Sequence, residues 1–353
     1  MRLRSAALVL ATGASLLAAA PVAVGAAEIG RDAVAGADGG AGTADEVHTP
    51  GTDGSIAAQR LASVLTPDAR RALVAARAVD MVSVIVRLSD QVDIATVLAA
   101  VDDDELARES VLRALQVEAE SDQHVARFLA TIWELSGEVE SFTPFWIVNG
   151  FALSATPAAI IALASLPGVA AVDVEHQYQL AGTAPSAPPT VNVAEIGAPV
   201  AWAQGHTGEG IVVAVLDTGV DLAGIPGVFS SEVATSYRGG TNSWFDPYGG
   251  STEPYDPSGH GTSVASIITG RDQSGSAVGV APDSRWIAAK VFDDDGVATT
   301  AAIHASLQWV LDPDGDPATD DGADVVNASW TAQGSGCDLE FAPDIATLRA
   351  AGV

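Results

Sequence analysis

The chain has 353 residues, with 16 Lys and Arg against 45 Asp and Glu, a formal net charge of −29 at neutral pH. That balance argues against nucleic acid as a partner and for a soluble acidic surface, which adaptation to salt would equally produce. There is one cysteine, Cys337, so its thiol is either free or waits for a partner outside these residues.

Met1-Arg-Leu-Arg4, an Ala/Leu/Val run through Ala20 and the small-residue end Val24-Gly-Ala-Ala27 form a basic n-region, a short apolar core and a cleavage site. Residues 1–27 are therefore expected to be a secretory signal and the protein to be secreted. No later run approaches about 18 uninterrupted apolar residues, so no stable membrane association is expected. Residues 28–79 read as linker, mostly disordered, with a weak helix over 59–79. From Met81 the pattern is compact. A strand over Met81–Leu88 precedes a helix from Asp104 to Leu135, marked by Leu106, Val111, Leu115, Val125, Phe128, Leu129 and Ile132. Then come a strand over Glu138–Val148, an Asn149-Gly150 turn, a strand over Phe151–Ser154, a helix over Pro157–Leu166 and a strand over Val169–Tyr178. The order β-α-β-β-α-β predicts a ferredoxin-like α+β domain over 80–180. It holds no catalytic cluster, so it reads as a binding or folding module.

A Pro-rich linker over 181–192 leads into residues 193–353. Val193–Trp202 reads as a short helix and Ile211–Leu216 as a strand buried on both faces that ends in the carboxylate of Asp217. Phe229–Tyr255 reads as an ordered loop region. His260, between Gly259 and Gly261, opens an apolar helix that closes on Gly270. A strand over Arg285–Phe292, a helix over Thr299–Leu311 and a third parallel strand over Asp324–Trp330 complete an α/β pattern, a partial doubly wound parallel sheet. An imidazole acting as general base needs a buried carboxylate on its other nitrogen, and Asp217 and His260 are suited to those two parts. The acidic loop Asp312–Asp321 offers hard-cation ligands, a possible structural calcium site, although its glycine is misplaced for an EF-hand. Asn327-Ala-Ser329 matches a glycosylation sequon, discounted because the strand is predicted to be buried.

Asp217-Thr-Gly219 followed by Gly259-His-Gly-Thr262 resembles the first two motifs of the subtilisin-like serine peptidases, whose chain order is Asp, His, Ser. Ser236–Tyr248 and Trp309–Thr319 are similar to the bacillopeptidase F-like branch. The resemblance implies that Asp217 orients His260 in a serine endopeptidase acting on protein or peptide substrates, with no cofactor required for the chemistry. It implies that the backbones of Gly296, Val297 and Ala298, and of Ser329, Trp330 and Thr331, pair with an extended substrate. Thr331 stands where the family usually has glycine, so the width of that pocket departs from the pattern. Asn149–Ser154 and Leu166–Glu175 resemble the propeptide of such enzymes, an intramolecular inhibitor whose tail, around His176–Thr190, lies in the cleft. The family's nucleophile motif is not found in residues 1–353. Ser263 is a poor substitute on the turn that carries His260, so the chain is expected to be the front portion of the precursor and inactive as it stands. The competing reading is a non-catalytic protease-binding inhibitor or folding module working through residues 81–178.

Overall fold

Helices, not linker, open the described part of the protein. The computed structural model describes residues 52–101, 104–180, 190–225, 229–230, 232–271, 277–331 and 339–353. The predicted signal, the linker over 28–51, Cys337 and most of the Pro-rich linker lie outside the described residues. Helices α1 (Thr52–Val64) and α2 (Pro67–Ala75) bury Leu61, Val64, Leu65, Ala69 and Leu73. The Thr66 hydroxyl caps α2 by accepting from the Ala69 N–H at 3.2 Å, and Pro67 takes the first helical position, where no N–H is needed. That Thr-Pro break splits one apolar periodicity into two short stretches, so the weak helix expected over 59–79 is two helices, the first beginning earlier, at Thr52.

Next come β1 (Val82–Leu88), α3 (Ile94–Ala99), α4 (Asp104–Ser136), β2 (Val139–Phe145), β3 (Gly150–Ala155), α5 (Pro157–Ala164) and β4 (Val169–Val174). The strands form a sheet of order β2-β3-β1-β4, with β1 and β4 antiparallel. Helix α4 corrects the predicted apolar stripe. Val111 and Leu115 are buried, whereas Leu106, Val125, Phe128 and Ile132 are exposed, and the buried face continues on Ala119, Ala126 and Ala130. Ala119, Gln123, Ala126 and Ala130 fall on one face at helical spacing, so Val125, Phe128 and Ile132, on the other face of the same turns, are left to solvent.

The single strand expected over Val169–Tyr178 is two. After β4 the chain breaks at Glu175-His176 and resumes as β5 (Gln177–Gln179), which pairs in a different sheet. By internal contacts, the described residues up to Ser89, of Val125–Phe142 and of Leu153–Val174 form one compact unit; those of Asp90–His124, Thr143–Ala152 and Glu175–Val353 form the other.

In the second unit α6 (Thr190–Glu195) and α7 (Ala198–Ala203) precede β6 (Val212–Asp217). The short pair β7 (Gly224–Ile225) and β8 (Phe229–Ser230) and helix α8 (Glu232–Ser236) lead to β9 (Trp244–Phe245). Helix α9 (His260–Thr269), β10 (Arg285–Lys290), β11 (Val297–Thr299), α10 (Thr300–Trp309), β12 (Val325–Asn327) and α11 (Ala342–Ala350) follow. The order β12-β6-β10-β9 is parallel throughout. Trp244-Phe245 thus adds a fourth strand inside what was expected to be loop. Val213–Leu216 and Trp286–Ala289 are buried on both faces, as strands covered by helices must be. Strand β12 lies at the edge among the described strands and leaves Val325 48 % exposed, so the sequon at Asn327 is not on a buried strand.

Helices α10 and α11 are joined by a buried ion cluster. His304 Nδ1 lies 2.8 Å from Asp344 Oδ1 and Nε2 lies 3.3 Å from Glu340 Oε1, with the ring flanked by Phe145 and Phe341. Burial pulls the imidazole pKa down, but the hydrogen bonds and charges of Asp344 and Glu340 outweigh it and set it at about 9. A raised folded-state pKa gives stability that is complete below the ordinary histidine value and is lost as pH rises through about 9. His304→Ala is expected to lower unfolding stability by about 3–5 kcal/mol, because the fully buried carboxylate of Asp344 loses its imidazolium partner. Urea titrations from pH 6 to 10 should show the parent losing stability toward alkaline pH and the variant nearly flat over that range. Equal slopes would refute the assignment.

Candidate active site

The carboxyl end of β6 and the start of α9 meet through two glycines. A Cβ on Gly261 would sit 2.1 Å from the Gly219 carbonyl oxygen and 3.0 Å from Asp217 Cβ, and one on Gly219 would sit 2.0 Å from the Tyr255 oxygen. Gly219 also has φ +106°, a conformation side chains disfavour. With both positions bare, helix start and strand end approach closely enough for the side chains of Asp217 and His260 to bond.

Asp217 is fully buried, and His260 Nδ1 lies 2.7 Å from its Oδ1. The same oxygen accepts from the Thr218 N–H at 2.8 Å; Oδ2 is buried without a hydrogen bond among the described residues. The Asp217 hydrogen bond raises the His260 pKa above its ordinary value, against the opposing effect of burial, and the charges of Asp217 and Asp256 add to it. With Nδ1 committed to the carboxylate, the imidazole's basic nitrogen is Nε2, on a side chain that keeps 14 % of its surface exposed.

Asp256, four residues before His260, was missed in the sequence. Its Oδ1 accepts from the Thr218 hydroxyl (2.8 Å) and the Gly259 N–H (2.9 Å), and its Oδ2 from the Thr262 N–H (2.8 Å) and hydroxyl (2.6 Å). It therefore caps the first turn of α9 and ties it to the residue after Asp217. The signal present was an Asp-Pro-Ser-Gly stretch ahead of a helix, which reads as a turn. Lys290 was missed as well. It is 1 % exposed and donates to the Phe292 carbonyl (2.8 Å) and the Thr218 carbonyl (3.3 Å), stapling the exits of β10 and β6. The Ser263 hydroxyl donates to the Gly259 carbonyl at 2.8 Å, which turns it back into its own helix.

From β10 the chain turns at Asp293–Gly296, where the Asp293 N–H bonds the Val297 carbonyl at 2.9 Å, and returns as β11. Of the expected peptide-pairing residues, Val297 and Ala298 lie on β11, opposite Gln179 and Tyr178 of antiparallel β5, and Gly296 holds the turn at φ +76°. The approach is held at helix α10, where the Thr300 N–H bonds the His176 carbonyl (3.0 Å) and the Ala301 N–H bonds Glu175 Oε1 (3.1 Å). Tyr178 is buried beside Phe341 (5.6 Å between ring centroids) and Trp330 (6.3 Å). The Trp330 indole N–H donates to the Leu216 carbonyl at 3.1 Å, whereas Ser329 and Thr331 are exposed.

A parallel α/β sheet whose strand-end aspartate bonds an imidazole at a helix start has the geometry in which a carboxylate can hold a histidine as general base. Residues 208–348 match the subtilase family, and this stretch is subtilisin-like. The chain is 34 % identical to Bacillopeptidase F of Bacillus subtilis (strain 168) over 70 % of its own length and 18 % of that protein. It is 32 % identical to Subtilisin E of the same organism over 56 % of this chain and 45 % of that one. Subtilisin BL of Lederbergia lenta is 34 % identical over 44 % of this chain and 51 % of its own. The chain thus spans about a fifth to a half of the length of these relatives. Among the described residues, no helix is long and apolar enough to cross a membrane.

Proposed function

We propose that the protein is the precursor of a secreted subtilisin-like serine endopeptidase, carrying a signal over 1–27, an inhibitory ferredoxin-like propeptide over 80–180 and peptidase residues from 193 onward. The observation that carries the reading is the Asp217–His260 pair at the carboxyl end of a parallel sheet. The strand order β2-β3-β1-β4, and the pairing of β5 with β11 as a substrate strand would pair, support the propeptide assignment. The helices over 52–75 and the unit they pack in favour an ordered start of the pro-region rather than a linker.

In this mechanism an extended peptide adds to β11. His260 Nε2 takes the proton of a serine hydroxyl as its oxygen attacks the scissile carbonyl, and Asp217 holds Nδ1–H and stabilises the imidazolium formed. The imidazolium gives the proton to the departing amine, and water, deprotonated by the same nitrogen, hydrolyses the acyl-enzyme. No cofactor takes part. The test is expression of the intact gene product with a fluorophosphonate probe and a quenched peptide substrate. Covalent labelling of one serine together with peptide hydrolysis is expected; hydrolysis that survives full labelling would sink the serine mechanism.

A further inference from the structure

We propose that Asp294 is a positioning residue for the reaction: one carboxylate oxygen, on the turn before β11, ties together the two backbone arms that hold the Asp217–His260 bond. The kinetic consequence rests on the peptidase reading above, whereas the geometry stands without it. Lys290 lies opposite Asp217 in the parallel register of β10 and β6, and its side chain is buried. A buried ammonium has a charge and three N–H donors to satisfy. Nζ reaches the Phe292 carbonyl at 2.8 Å, the Thr218 carbonyl at 3.3 Å and Asp294 Oδ1 at 3.1 Å, so Asp294 brings the negative charge to that set. The same Oδ1 accepts from the Tyr255 hydroxyl at 3.0 Å, and Nζ lies 5.1 Å from the centroid of the Tyr255 ring. Hydrogen bonds from Lys290 and Tyr255 hold the Asp294 carboxyl below the ordinary aspartate range, so it is ionised at neutral pH.

Each partner of Asp294 leads to one half of the catalytic pair. Lys290 holds the carbonyl of Thr218, whose N–H bonds Asp217 Oδ1. Tyr255 lies against the exit of β6, where its carbonyl leaves no room for a Cβ on Gly219, and it directly precedes Asp256, the cap of α9. Trp244 packs edge-on to the Tyr255 ring, 6.0 Å between centroids. The turn itself is shaped by a different carboxylate. Asp293 Oδ1 accepts from the Asp295 N–H at 3.0 Å and the Val297 N–H at 2.9 Å, whereas the Asp294 carboxylate bonds Lys290 and Tyr255. A loss at Asp294 therefore falls on the alignment of the reacting groups, not on the edge where an extended peptide pairs.

The test compares Asp294→Ala, Tyr255→Phe, the double variant and Asp295→Ala in the serine-bearing enzyme. Asp294→Ala is expected to lower kcat ~10-fold with KM within about twofold of the parent, and Tyr255→Phe to lower kcat less. The double variant should match Asp294→Ala, because the Tyr255 hydroxyl has then already lost its acceptor. Asp295→Ala removes the same charge one residue along, on an exposed side chain, and should leave both constants unchanged. A second readout needs no hydrolysis. The downfield proton resonance of His260 Nδ1–H in its bond to Asp217, recorded on the full chain, should shift or broaden in Asp294→Ala and stay in place in Asp295→Ala. An unmoved resonance, a loss confined to KM, or equal effects of the two alanine variants would overturn the proposal. If the parent shows the resonance but hydrolyses no peptide, the peptidase reading fails and the resonance alone decides the role of Asp294.

Discussion

His260→Ala is expected to lower peptide turnover by the serine-bearing enzyme roughly 10⁶-fold, the order that removing the base of such a unit costs in subtilisin itself. Asp217→Asn is expected to cost about 10⁴-fold, because an amide at 217 can donate to Nδ1 and so leave the ring in the wrong tautomer. The geometry makes the second loss sharp. Asp217 Oδ1 is the acceptor for His260 Nδ1, and Asp217 has no exposed surface through which water could replace it. The pH profile separates this role from a merely structural one. The base must be neutral, so activity rises with pH through the His260 pKa, which the Asp217 hydrogen bond holds above the ordinary histidine value. In Asp217→Asn the acid limb of kcat/KM should move to lower pH while the plateau falls. A variant that keeps the parent's rate within tenfold, or whose acid limb stays in place, would remove Asp217 from the mechanism.

The pair at 217 and 260 was legible because each member is written locally. An apolar β-branched run ending in Asp gives a strand end, and Gly-His-Gly before an apolar run gives a helix start, without knowledge of what either touches. The residues that bring the two together were not legible in the same way. Asp256 reads as a turn residue until its carboxylate is seen to bond Thr218 on one side and Thr262 on the other. Lys290 reads as the polar end of a strand until its ammonium is found buried against two carbonyls. The same limit governed the fold. Central strands β6 and β10 announce themselves by hydrophobicity on both faces. Trp244-Phe245 is too short to signal a strand, and it becomes one through its parallel pairing with Ala288 and Ala289. Large apolar residues on α4 suggested a core stripe, but burial is decided by what lies opposite, and Val125, Phe128 and Ile132 have solvent there.

Tyr178→Ala in the proposed propeptide is expected to raise the inhibition constant of residues 80–180, added to the mature enzyme, by about 30-fold or more, the loss of an aromatic anchor worth at least ~2 kcal/mol. β5 is short, so its backbone pairing with β11 offers few hydrogen bonds, and a buried side chain must supply much of the affinity. Tyr178 is that side chain, 4 % exposed and set against Trp330 and Phe341. Gln177 and Gln179, its neighbours on the strand, are exposed, so their replacement by alanine should change inhibition little. Because a bound substrate would use the same edge of Val297–Thr299, inhibition should be competitive and substrate should protect against it. Ala298→Pro removes an N–H from that edge and should weaken substrate and propeptide together, whereas Tyr178→Ala affects the propeptide alone. An inhibition constant unmoved by Tyr178→Ala, or no inhibition by residues 80–180 at micromolar concentration, would mean that β5 pairs with β11 as internal structure rather than as a strand that substrate displaces.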